Sequence, residues 1–97
     1  MIPRVLLLAA LAVTLQTGAA AAACYADYKA KQDNPLRLHY GVIELPDSAC
    51  GSRSAAAQEI DRRIGSGGWQ LLNVMSIFGA DGLAERKASA GAFYLRY

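Results

Sequence analysis

Few side chains in this 97-residue sequence could do chemistry: two cysteines, Cys24 and Cys50, and a single histidine, His39. Two thiols in a small domain most often pair where the compartment is oxidising. A Cys24–Cys50 bridge would close a loop of about 27 residues, worth roughly 3–4 kcal/mol on the chain-entropy account. Two cysteines and one histidine do not complete a closed four-ligand zinc site, so neither a metal nor a cofactor is expected. As a general base, His39 would need a nucleophile and an orienting acid, and the sequence pairs none with it. It falls on the polar side of an alternating segment and reads as a solvated strand histidine. A pocket joining it to Ser76 or Asp81 would change that reading. The run Gly65-Ser66-Gly67-Gly68 follows a helical pattern, where the dipole disfavours anions, so it reads as a turn and not as a phosphate loop. Glu59 and Asp61 stand two residues apart on that helix and face different ways, which denies them a shared acid–base role. Arg62 and Arg63 read as the solvated side of the helix. These parts make no enzyme, and no catalytic residue is assigned.

The large amphipathic aromatics are more numerous: Trp69 with Tyr25, Tyr28, Tyr40, Tyr94 and Tyr97. A small domain needs their bulk, so core or half-buried packing is the first expectation. Were Tyr28, Tyr40, Trp69 and Tyr94 to share an exposed sheet face, they would form a binding surface.

The first 23 residues are set apart by pattern. Arg4 is followed by the apolar stretch Val5–Leu15 and the small-residue run Ala19–Ala23, the layout of a secretory signal peptide. The apolar core is about half the roughly 20 residues a membrane span requires. Residues 1–23 are therefore expected to be removed, leaving 24–97 as one small domain in a bacterial periplasm or beyond. The segment Ala21-Ala22-Ala23-Cys24 also resembles a degenerate lipoprotein signal, which would make Cys24 a lipid anchor. Ala21 stands where such signals carry a larger aliphatic, and no flexible tether follows Cys24. Of the ten basic residues only Arg4 lies in the leader, so residues 24–97 set nine against the eight acids. The signs interleave without a basic stripe, which argues against nucleic acid as a partner.

The positioning elements follow from periodicity. Residues 25–31 read as a strand, and Gln32-Asp33-Asn34-Pro35 as a turn. Residues 36–45 alternate, with Leu36, Leu38, Tyr40 and Val42 on the inward face, Arg37 and His39 on the other, and Gly41 marking a bulge or a close backbone approach. Ser52 or Ser54 caps a helix running to Ile64, with Ala56, Ile60 and Ile64 as its apolar stripe. Gly65 suits a left-handed stop. Residues 69–78 read as a central strand with Leu72, Val74, Ser76 and Phe78 on one face. A helical turn at Leu83–Lys87 and a last strand at 92–97 complete the chain. The class is α+β: a small antiparallel sheet of three to four strands in ββαββ order, with one helix packed on it.

The stretch Ile60–Ile77 resembles a widespread group of small bacterial domains of unknown function, in which a short helix ends in Gly-Trp-Glu-Leu-Val and feeds a strand. Gly68-Trp69-Gln70-Leu71-Leu72 occupies that place, with Gln70 departing from the usual acid. The resemblance implies the same fold and no activity. The combined expectation is an exported, non-enzymatic module binding an unknown protein or envelope component. The alternative is a lipid-anchored structural protein.

Overall fold

A computed structural model describes residues 24–97, and the signal peptide assigned to residues 1–23 lies outside the described residues. Strand β1 (Cys24–Gln32) and strand β2 (Arg37–Leu45) form a hairpin, helix α1 (Arg53–Gly65) crosses over, and strand β3 (Gln70–Phe78) returns to the sheet. A short helix α2 (Ala84–Ala90) and a 3-10 turn at Gly91–Phe93 follow. All strand pairs are antiparallel and the order is β2-β1-β3. The expected α+β class with a small antiparallel sheet is what the chain adopts; the helical turn expected at Leu83–Lys87 is the second helix, α2, running on to Ala90.

The core lies between α1 and one face of the sheet. Ala26, Tyr28 and Ala30 on β1 and Ile43 and Leu45 on β2 meet Ala56, Ile60 and Ile64, all fully buried. The helix stripe and its start agree with expectation: the Ser52 side chain accepts from the Ala55 backbone N–H at 3.0 Å. Its stop differs. Gly65 ends the helix, and the left-handed residue is Gly68, at φ 82°.

In β2 the expected alternation holds but its two faces are exchanged. His39, Gly41, Ile43 and Leu45 face the helix, opposite Ala30, Tyr28, Ala26 and Cys24, while Leu36 and Leu38 are 65% exposed. Residues 36–42 alternate in one register, and Ile43 and Leu45 prefer the other. The larger core wins, and a one-residue slip turns every side chain over.

β3 is an edge strand, not the expected central one, because the α1 crossover carries the chain over β1 and lands it on the far side. Its pairing with β1 shifts twice, at Asp27/Tyr28 and at Lys29/Ala30. Those two bulges leave Met75 and Leu72 without a β1 partner and exposed, so the inward residues are Leu71, Val74 and Ile77, spaced by three. Of the four expected on one face, Val74 points inward, while Ser76 and Phe78 pair with Asp27 and Tyr25 on the outer face.

The last segment is not a strand. A single bridge joins Tyr94 to Val42, with the Leu95 N–H donating to the Val42 carbonyl at 2.8 Å. Left-handed backbone at Gly91 and Leu95 (φ 54° at each) prevents further extension. The segment wraps from α2 on the outer face around the β2 edge to the helix side. Arg63 holds its end there, donating to the carbonyls of Tyr97 and Glu44, so it is not the solvated arginine expected.

Among the described residues no helix is long and apolar enough to cross a membrane.

Candidate functional site

At the turn end of the hairpin, three segments converge on His39. Phe93 stacks on the imidazole with centroids 3.7 Å apart, and Trp69 meets it edge-on at 4.2 Å. From β1, the Tyr28 hydroxyl shares a hydrogen bond with Nε2 at 3.0 Å. Gly41 makes this possible: a Cβ there would stand 2.5 Å from the Tyr28 hydroxyl oxygen, so the ring lies directly over the glycine backbone. The close approach anticipated at Gly41 is therefore real. His39 is only 9% exposed, against the solvated position expected of it, and its Nδ1 is buried without a partner among the described residues. An imidazole can be buried here because its body packs like an aromatic ring while one nitrogen is satisfied. Burial pushes it down to about 4, with the positive charge of Arg96 adding to the effect. Burial likewise raises the Tyr28 phenol to about 12.

Beside this cluster opens a recess of about 330 Å³ lined by Gln32, Arg37, Gly67, Trp69, Phe93, Arg96 and Tyr97. The Arg37 guanidinium lies 5.8 Å over the Trp69 ring, and that of Arg96 lies 5.7 Å over Phe93 and 5.8 Å over Tyr97. Both arginines are exposed, with their cations over aromatic rings near the outer range of cation–π contact. Among the described residues neither guanidinium has a carboxylate oxygen within 4.0 Å, because the ion pairs use Lys31, Arg62, Arg63 and Arg86. The Gln32 amide nitrogen is spent on the Gly67 carbonyl at 3.1 Å, which ties the hairpin turn to the end of α1.

The outer sheet face holds a second polar cluster. Asp27, 6% exposed, accepts from Tyr40 (2.8 Å), Ser76 (2.6 Å) and Arg86 (3.1 Å). Burial alone would raise its carboxyl. The three hydrogen bonds and the Arg86 charge outweigh burial and hold it below the ordinary value. Every partner of this carboxylate is a protein donor, and Arg86 also caps Phe78 at 3.9 Å. The cluster docks α2 on the sheet. Its Ser76 lies on the opposite face from His39, so the two do not form a catalytic pair. Farther along the same face a shallow groove of about 250 Å³ runs between Leu38 and Leu72 past Lys29 and Tyr40.

The four aromatics named as a binding surface do not share one face. Tyr28 is wholly buried and Trp69 is 8% exposed at the recess; Tyr40 lines the outer groove; Tyr94 is half-buried at the β2 edge near Lys87. Only Trp69 reaches the recess. Cys24 and Cys50 are joined as expected, with Cα atoms 6.1 Å apart. Sequence patterns did not single out Arg37 or Arg96, since nothing local marks an arginine that will rest on a distant ring. The inward register of β2 would have been the one clue to Arg37.

Comparisons with protein-family models, with curated proteins and with solved structures find no match to this chain.

Proposed function

We propose that residues 24–97 are an exported, non-enzymatic binding module and that the recess is where its ligand docks. The observation that carries this reading is the pair Arg37 and Arg96, each resting on aromatic rings with no carboxylate partner among the described residues. Surface arginines ordinarily find a carboxylate or wave in solvent. Two exposed guanidiniums beside aromatic rings at one recess leave their N–H donors open to an acceptor from outside. His39 supports binding over catalysis, because its Nε2 is given to a buried tyrosine and its Nδ1 is buried as well. Export rests on the leader pattern, and the Cys24–Cys50 bridge is compatible with an oxidising compartment. That bridge also favours this reading over a lipid anchor, since a sulfur held in a disulfide has no valence left for a thioether.

Two measurements test it. Intact mass of the protein recovered from the cell envelope should begin near residue 24 and lack two hydrogens; an acyl-mass gain would establish the anchored form instead. Wild-type domain and the Arg37→Gln/Arg96→Gln variant, immobilised side by side, should then differ in what they retain from envelope extract. Equal retention by both removes the recess from the function.

A further inference from the structure

We propose that the recess recognises an organic oxyanion: a carboxylate or phosphate ester on a planar or apolar body, its charged head taken by Arg37 and Arg96. This rests on the recess being the ligand site and adds the chemical class that fits it.

The polar character of the walls is one-sided. Two guanidinium groups bring a rigid fork of N–H donors each, and a fork matches the paired oxygens of a carboxylate or phosphate. A cationic ligand would meet two like charges and, among the described residues, no acid bound to either. The apolar part of the ligand is set by the rest of the lining. Trp69, Phe93 and Tyr97 supply ring surface, and about 330 Å³ accommodates a small ring with its anionic substituent. Bare inorganic anions would use the arginines but leave those rings wet.

The site also resists rearrangement when it is occupied. Gln32 is bonded to Gly67, Arg63 holds the Tyr97 carbonyl, and the Tyr97 ring lies against Gly67, where a Cβ would meet its hydroxyl. Three chain segments are fixed before a ligand arrives, which limits the ordering cost of binding.

The chain has one tryptophan, and it is in the recess, so Trp69 emission reports occupancy directly. Titrated with benzoate and with phenyl phosphate, the mature domain should show a saturable change, and the stronger of the two identifies the head group. Benzamide and benzyl alcohol, which keep the ring and lose the charge, should give none; acetate and inorganic phosphate should bind at least tenfold more weakly than their ring-bearing counterparts. Arg37→Gln and Arg96→Gln should each weaken binding about tenfold or more. The Arg→Lys forms, which keep charge but lose the fork, should fall between, and circular dichroism checks that each variant is folded. The sole histidine provides a second readout. His39 is faced by Tyr28 from β1, Trp69 ahead of β3, and Phe93 and Arg96 from the last segment. An anion on Arg96 should therefore move its ring resonances, while an anion loosely screening the surface should not.

Equal responses to benzoate and benzamide, unchanged affinity in both glutamine variants, or no saturable response to any of these anions would each overturn the assignment. If these titrations fail while envelope retention still depends on Arg37 and Arg96, the ligand class is wrong and the recess remains the site. If retention is also unaffected, the binding reading falls with it.

Discussion

His39 is held neutral by its surroundings, and that has a consequence for stability against pH. Folding lowers the imidazole from its ordinary 6.5 to about 4. Between those values the unfolded chain binds more protons than the folded one, so stability falls as the pH drops through that window. At 1.36 kcal/mol per unit the full loss approaches about 3 kcal/mol. Asp27 acts in a separate range. Its carboxyl is held below 3.8, so its contribution is present above that value and is lost as the pH falls from there through the folded-state value. Denaturant unfolding at pH 7 and pH 4.5 should therefore show a drop that belongs to the histidine. Replacing both members of the pair, His39→Phe with Tyr28→Phe, removes the hydrogen bond without orphaning a buried hydroxyl. In that variant the difference between the two pH values should vanish. A drop of the wild-type size would mean that another group titrates there.

At the scale of elements, both outer edges of the sheet are partly occupied by other groups of the chain. On the outer side of β3 the Arg53 guanidinium donates to the Val74 and Met75 carbonyls, and the Asp61 carboxylate accepts from the Leu71 N–H. On the outer side of β2, Leu95 and Arg63 take the Val42 and Glu44 carbonyls. Exposed edges template association with other chains, and bulges and charges are the usual defences. Arg53→Ala with Asp61→Ala should then cost about 1–3 kcal/mol and produce species heavier than wild type in size-exclusion chromatography with light scattering. An unchanged profile would assign the protection to the bulges at Leu72 and Met75 alone. This protection was beyond reach of the sequence, as was the edge position of β3. Apolar density at 69–78 signals burial but does not say which side of β1 the crossover delivers the strand to. The start and the buried stripe of α1 were legible, since its cap and its four-residue repeat are local signals. β2 was legible in period and not in sense, because both of its registers carry apolar residues and only the partner strand decides between them. The recess was legible solely in Trp69, because Arg37 and Arg96 come together through a left-handed turn near the chain's end.

For the molecule as a whole, α1 is fastened to the sheet at both ends by unlike means. Cys50, just ahead of the helix, is bridged to Cys24 at the start of the central strand. At the other end, Arg63 holds the Tyr97 carbonyl and Gln32 holds Gly67. The bridge and the Gln32–Gly67 contact stand at opposite ends of β1, roughly 26 Å apart at about 3.3 Å per residue. The recess belongs to the second. A domain of this size has a total stability of about 4–11 kcal/mol, so losing roughly 3–4 kcal/mol with the bridge is a large fraction of it. Cys24→Ser/Cys50→Ser should lower the unfolding free energy in urea by that amount and leave Trp69 emission and the His39 resonances of the folded protein unchanged. The bridge then secures the fold without shaping the site. Should removal of the bridge shift those signals under native conditions, strain would be passing along α1 from one end to the other. The helix would in that case couple the redox state of the cysteines to the recess.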